Sequence, residues 1–326
     1  MSITDQQAIA FGTLAMIAED MYVPVGSLNP PSDPRIAASG WTVVSYLTAH
    51  DALFPPPGAA DRTLGVDPIK RVFFGFVAKN NADPSSFVAV VRGTEGIIEW
   101  IIDAEFLLIP HPRHPTAQVE QGFWNIYQTM SLAEAATGAT TYQNAAEGVA
   151  ALVGPTGTLV VTGHSLGSAL ATYFTDDLAE RIGARVSACL FASPRTGDTP
   201  WANLFAATTV GQYRLFNYIL DLVTHVPSIG YSTLPNATVI QPATAQAGVR
   251  LDILCDHHVI CYCAMIDSAV AVPTTAQDAS CAACILPTPP GMPESAKALA
   301  TIINEFGVGD ERAVIMLKAL HEVNAM

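Results

Sequence analysis

The chain has 326 residues, half of them hydrophobic and only 13% charged, which is enough apolar material to bury a large core. With 15 Lys and Arg against 29 Asp and Glu, the formal net charge is −14, and no basic cluster offsets it. That balance argues against nucleic acid and against anionic membrane surfaces as partners, and it leaves a neutral ester or lipid unpenalised.

In chain order, residues 5–21 form an amphipathic stretch that predicts a helix on the edge of a sheet, without the basic start and long apolar run of a signal peptide. Pro-rich connections follow at 29–34 and 55–58, then strands near 72–77 and 87–91. Over 96–103, a helical reading places Glu95, Glu99 and Asp103 on one acidic stripe, while Ile97, Ile98, Trp100, Ile101 and Ile102 cover the rest. Such a helix suits a mobile lid over an apolar pocket, with transient contact to a lipid–water interface; a core helix with a solvent edge has the same pattern. Further helices are predicted at 122–136 and 143–152, and strands at 159–162, 186–192 and 212–217. This alternation implies an α/β fold with a mostly parallel central sheet, helices on both faces and right-handed crossovers. Nothing divides the chain cleanly, so one domain over 1–326 is expected, with a core at about 70–265 and a C-terminal extension at about 266–326.

The most informative stretch is T-L-V-V-T-G-H-S-L-G-S-A-L, residues 158–170. A β-branched run passes through Gly163-His164-Ser165-Leu166-Gly167 into a small-residue helical pattern, the strand, sharp turn and helix of a nucleophile elbow with Ser165 at its tip. A serine nucleophile needs a base, and the base needs an acid to orient it. In chain order Ser, acid, His, the acid is Asp221, at the end of the apolar strand in Y-R-L-F-N-Y-I-L-D; Asp198 and Asp256 are the competitors and read as a helix start and a helix cap. The base falls to the pair His257-His258, at the mouth of a buried helix beginning near Asp256; only one of two adjacent imidazoles can face Ser165.

From about Phe73 to Tyr262 the chain resembles the class 3 lipases, the fungal triacylglycerol lipase type with bacterial relatives. The likeness rests on F-V-A-V-V-R-G-T-E-G-I-I-E-W-I-I-D before the elbow, V-E-Q-G-F-W-N-I-Y, the elbow itself, F-A-S-P-R-T-G-D, and N-Y-I-L-D-L-V-T-H-V-P. Gln121 stands where the family usually has His, and the part after about Met265 has no counterpart. The resemblance implies an α/β-hydrolase fold and a serine hydrolase acting on acylglycerol esters through an acyl-enzyme, with no metal or organic cofactor. It implies Thr94 and Leu166 as the oxyanion hole. The family's spacing of five residues from His to Tyr also selects His257, with Tyr262, over His258. A soluble esterase for short-acyl or aromatic esters, a phospholipase A1, and a lipase-like binding module without turnover are the rival readings.

Five of six cysteines, Cys255, Cys261, Cys263, Cys281 and Cys284, crowd near His257. They predict one or two disulfides tying a C-terminal loop to the histidine; a zinc site and a reduced set are the alternatives.

Overall fold

The computed structural model describes residues 2–22, 28–50, 71–94, 106–209, 212–242, 244–269, 284–286 and 314–315. The sequence-predicted lid, with Ile97, Ile98, Trp100 and Ile101, lies outside them, as do Cys281 and nearly all of the C-terminal extension.

Helix α1, Asp5–Asp20, starts from a capping box in which Thr4 Oγ1 accepts the Gln7 N–H and Gln7 Oε1 accepts the Thr4 N–H. It does not sit at the sheet edge, as its amphipathicity suggests. It lies over the sheet centre, because Ala8, Leu14, Ala15, Ile17 and Ala18 bury more than one stripe. Helix α2, Pro34–Ala38, is capped by Asp33 and leads into the antiparallel strands β1, Trp41–His50, and β2, Arg71–Asn80, with β3, Ser86–Val91, beside β2. Next come the short pair β4, Leu108–Pro110, and β5, Gln118–Glu120, and helix α3, Gln121–Gln128.

Helix α3 is shorter than the predicted 122–136. Thr129 closes it, donating its hydroxyl to Ile126 O at 2.8 Å and accepting the His50 N–H at 2.9 Å. Strand β6, Ser131–Glu134, then pairs antiparallel with β1. Arg71 holds this corner with bonds to Ser131 Oγ and Thr129 O. Strand pairing to a distant segment overrides the local helical pattern here.

Strand β7, Thr140–Tyr142, and helix α4, Ala145–Val153, precede the central alternation. This runs β8, Thr158–His164; α5, Leu166–Ile182; β9, Val186–Phe191; α6, Thr199–Thr208; and β10, Tyr213–Tyr218. A 3-10 turn at Leu222–His225, strands β11, Thr238–Ile240, and β12, Gly248–Val249, helices α7, Ile253–His257, and α8, Val259–Ile266, and strand β13, Ile285–Leu286, complete the described chain.

Among the described residues, nine strands form one sheet in the order β11-β10-β9-β8-β3-β2-β1-β6-β7. From β3 through β8, β9 and β10 to β11 the pairs are parallel; on the other side of β3 they are antiparallel. The parallel strands read as near-continuous apolar runs because both faces are covered, α5 on one side and α1 on the other. Their C-terminal ends converge, so the segments after β3, β8 and β10 meet at one rim, the place where such sheets collect ligand-binding groups.

Candidate active site

Ser165 has φ 58° and ψ −128°, a conformation that a non-glycine residue holds only when its surroundings enforce it. The surroundings are tight. A Cβ at Gly163 would lie 2.4 Å from Gly167 O, and one at Gly167 would lie 2.2 Å from Val91 O. Only glycine lets β8, α5 and the end of β3 close to this distance, and the closure turns the Ser165 side chain out of the strand.

His257 Nε2 lies 2.7 Å from Ser165 Oγ, and His257 Nδ1 lies 2.8 Å from Asp221 Oδ2. With Asp221 accepting at Nδ1, the ring presents Nε2 to the serine hydroxyl. Asp221 is itself held. Its Oδ1 accepts the Val223 N–H at 2.9 Å and its Oδ2 accepts the Tyr262 hydroxyl at 2.7 Å. The Tyr262 oxygen in turn accepts the Tyr218 N–H at 2.8 Å. Burial, and then the charge of Asp221, push the Tyr262 phenol well above its ordinary pKa, so it stays a donor. All four residues are at most 6% exposed, and in a site this dry each hydrogen bond acts at reduced dielectric.

His257 ends α7, and His258 is the cap of the next helix, its Nδ1 accepting the Ile260 N–H at 3.2 Å. The sequence expects a helix opening near Asp256; instead two short helices break between these histidines, which point their rings to different partners. Asp198 caps α6 through the Trp201 N–H. Asp256 lies inside α7, where burial, with Asp221 and Asp252 nearby, raises its carboxyl well above the usual range.

Leu166 opens α5, where the first amides have no intrahelical acceptor and the helix dipole favours negative charge. Thr94 is half-buried and follows Gly93, at which a Cβ would lie 3.3 Å from Ser165 Cβ. Of the two expected oxyanion residues, Leu166 thus follows the serine directly and Thr94 follows the glycine that packs on it.

Sequence reasoning missed a second polar layer. His164 Nδ1 lies 2.8 Å from Glu19 Oε1 on α1, and its Nε2 lies 2.6 Å from the carbonyl oxygen of His257. Both ring nitrogens face acceptors, an arrangement that favours the doubly protonated ring. Burial disfavours the charged ring, but Glu19 together with the His257 carbonyl and Asp221 outweighs it and raises the His164 pKa; Glu19 is held below its ordinary range, chiefly by His164, despite its own burial. Glu19 also accepts the Gly93 N–H at 3.1 Å, joining the Thr94 segment through His164 to His257. The only local hint is the acid ending the first helix and the His inside the elbow.

Cys255 is bonded to Cys284, fastening α7 to β13. Cys261 and Cys263 are buried thiols, and Cys263 packs on α1 with its Sγ 3.8 Å from Ile9 O. Elsewhere, His114, Asp176 and Glu180 approach as metal ligands would, but Arg113 already pairs with Asp176 at 2.8 Å and Glu180 at 2.7 Å.

Residues 88–231 match the family described as Lipase (class 3). The lipase of Rhizomucor miehei is 29% identical over 162 residues, covering 48% of this chain and 42% of that protein. Phospholipase A1-IIgamma of Arabidopsis thaliana is 32% identical over 164 residues, covering 43% and 38%. The chain therefore spans about two fifths of the length of the curated relatives it matches. Among solved structures, a mutant form of MDLA from Penicillium cyclopium superimposes with a TM-score of 0.54 at 22% identity, covering 76% of this chain and 82% of that one. The sheet order and this likeness give an α/β-hydrolase fold. Over residues 88–231, the chain is thus similar to the class 3 lipases.

Proposed function

We propose that the protein is a serine carboxylic-ester hydrolase of the lipase type, built as a single α/β-hydrolase domain, that cleaves acylglycerol esters through an acyl-enzyme. The supporting observation is the continuous hydrogen-bonded path from Ser165 through His257 to Asp221. Ser165 Oγ attacks the ester carbonyl while His257 Nε2 takes its proton. The tetrahedral oxyanion is stabilised by the Leu166 N–H and by Thr94. His257 returns the proton to the departing alcohol, and a water repeats the sequence to release the acid. Asp221 holds the imidazole tautomer and offsets its charge as it forms.

Purified wild type should hydrolyse chromogenic esters across an acyl-length series, and Ser165→Ala should lose on the order of 10⁴ to 10⁶ in kcat. Full activity in Ser165→Ala would reject the mechanism; inactivity of the folded wild type on every ester would favour a binding module. A phospholipase A1 reading is favoured by the relatives that carry that name. Parallel assays on emulsified triglyceride and phosphatidylcholine separate the two by the faster substrate. For the lid, the sequence pattern at 96–103 supports interface preference: Trp100 fluorescence should shift on adding emulsified triglyceride, with activity rising above the substrate solubility limit. A silent Trp100 with plain saturation kinetics would favour a soluble esterase.

A further inference from the structure

A cavity of about 360 Å³ opens beside the loop that carries Asp221, lined in part by Arg195, Asn217, His225, Tyr231 and Thr233. That size suits a small ligand. Arg195 lies in the loop after β9 and is 6% exposed. Its Nε donates to Thr233 Oγ1 at 3.2 Å, and among the described residues it forms no ion pair. Burial lowers its pKa to about 10, so it is still a cation at neutral pH. A buried cation without a counter-charge is costly.

Three further groups round this cavity are buried without a partner among the described residues: His225 Nδ1, Asn217 Oδ1 and Tyr231 Oη. His225 Nε2 donates to Ile219 O at 2.9 Å, so Nδ1 is left as an acceptor. Asn217 Oδ1 is a second acceptor, and Tyr231 offers a hydroxyl donor. Each such group costs about 1–3 kcal/mol when unsatisfied, and here they come from separate segments of chain onto one space. The nearest carboxylates are engaged elsewhere: Asp221 with His257 and Tyr262, Glu120 with the Phe123 N–H.

We propose that this cavity binds a small oxyanion that carries a hydroxyl, the chemistry of a glycerol phosphate. The oxyanion would sit on Arg195 and the Tyr231 hydroxyl, and the ligand hydroxyl would donate to His225 Nδ1 and Asn217 Oδ1. An inorganic anion satisfies only the first half of the site, and a neutral polyol only the second. The site is separate from Ser165 and does not depend on ester hydrolysis.

The test is calorimetric titration of the full-length chain with glycerol 3-phosphate, inorganic phosphate and glycerol at matched ionic strength, and with phosphatidylglycerol vesicles. Glycerol 3-phosphate should bind saturably and more tightly than phosphate, with glycerol silent. Tyr231→Phe, which keeps the ring, should weaken binding roughly 10-fold. Arg195→Met should abolish it, and Ser165→Ala should bind as wild type. Binding to vesicles but not to the free compound would keep the chemistry and assign a lipid headgroup as its source. No saturable binding of either, binding unchanged in Tyr231→Phe, or binding lost in folded Ser165→Ala would overturn the proposal. Equal affinity for phosphate and glycerol 3-phosphate would overturn its hydroxyl half.

Discussion

His164 and Glu19, 145 positions apart in the chain, meet at 2.8 Å directly beneath the serine turn. Because His164 also reaches the backbone carbonyl of His257, and Glu19 the amide of Gly93, this pair ties His257 to the segment carrying Thr94 without a hydrogen bond to Ser165 Oγ or His257 Nε2. Glu19→Gln removes the carboxylate that faces the His164 ring. Stability should fall by about 1–3 kcal/mol in urea unfolding, the size of a lost charged hydrogen bond, and kcat should drop with little change in KM. Unchanged stability and kcat together would deny the pair a positioning role.

Asp221→Asn should lose about 10⁴ in kcat with folding intact, since the amide can no longer fix the tautomer. Tyr262→Phe tests the layer behind it. It removes one donor to Asp221 and strands the Tyr218 N–H, so a stability loss of about 1–3 kcal/mol should accompany a much smaller loss of kcat than in Asp221→Asn. A kcat loss equal to that of Asp221→Asn would make Tyr262 a full partner in the chemistry.

Gly167→Ala should fail to give a folded, active enzyme, because its methyl would lie 2.2 Å from Val91 O and 2.5 Å from Arg92 O, both backbone atoms that cannot swing aside. Circular dichroism and soluble yield are the measurements. A well-folded Gly167→Ala with normal turnover would mean that the strand and helix approach less closely than described.

The elbow is legible in the sequence because its motif is contiguous: glycines two residues either side of the serine mark the turn, although only Gly163 answers to a contact within it and Gly167 answers to Val91 and Arg92 on the neighbouring strand. Asp221 is legible for a similar reason, as a polar residue ending an apolar strand. Glu19 and His164 are not, because their meaning depends on α1 crossing the sheet, and no spacing within either segment records that. The helix predicted at 122–136 errs in the same way, since Ser131 becomes strand through Thr48 and Arg71, which are distant in sequence. The order of the sheet is likewise a long-range property, and its antiparallel half leaves no trace in the alternation of elements.

Stability should decline as pH falls through the window from about 6.5 to about 4. Burial lowers the His225 pKa to about 4, and burial with the charges of Arg113 and His114 lowers that of His111 to about 4. Both are 1% exposed, and His111 Nδ1 accepts the amides of Arg113 and His114, a role open only to the neutral ring. Below pH 6.5 the unfolded chain binds these protons first, so folding loses up to about 1.4 kcal/mol per pH unit per histidine until the folded rings titrate near 4. Asp176, raised to about 6 chiefly by burial, works in the opposite sense over the same range. His111→Asn keeps an acceptor that does not titrate, and its urea midpoint should vary less steeply with pH than that of the wild type. An identical slope would exclude His111 as a source.

Reduction of Cys255–Cys284 should cost both stability and activity. The bond closes a segment of 29 residues, and in the chain-entropy treatment a loop of that length is worth about 3–4 kcal/mol. Cys255 lies in α7, two residues before His257, so the bond fastens to β13 the helix that ends at His257. Cys255→Ser, or wild type held in dithiothreitol, should unfold at lower urea concentration and show reduced kcat, and re-oxidation of the wild type should restore both. Cys284→Ser should match Cys255→Ser, because each removes the same bond. If the two variants differ widely, or if reduction lowers stability while kcat is untouched, the bond secures the C-terminal segment without positioning His257.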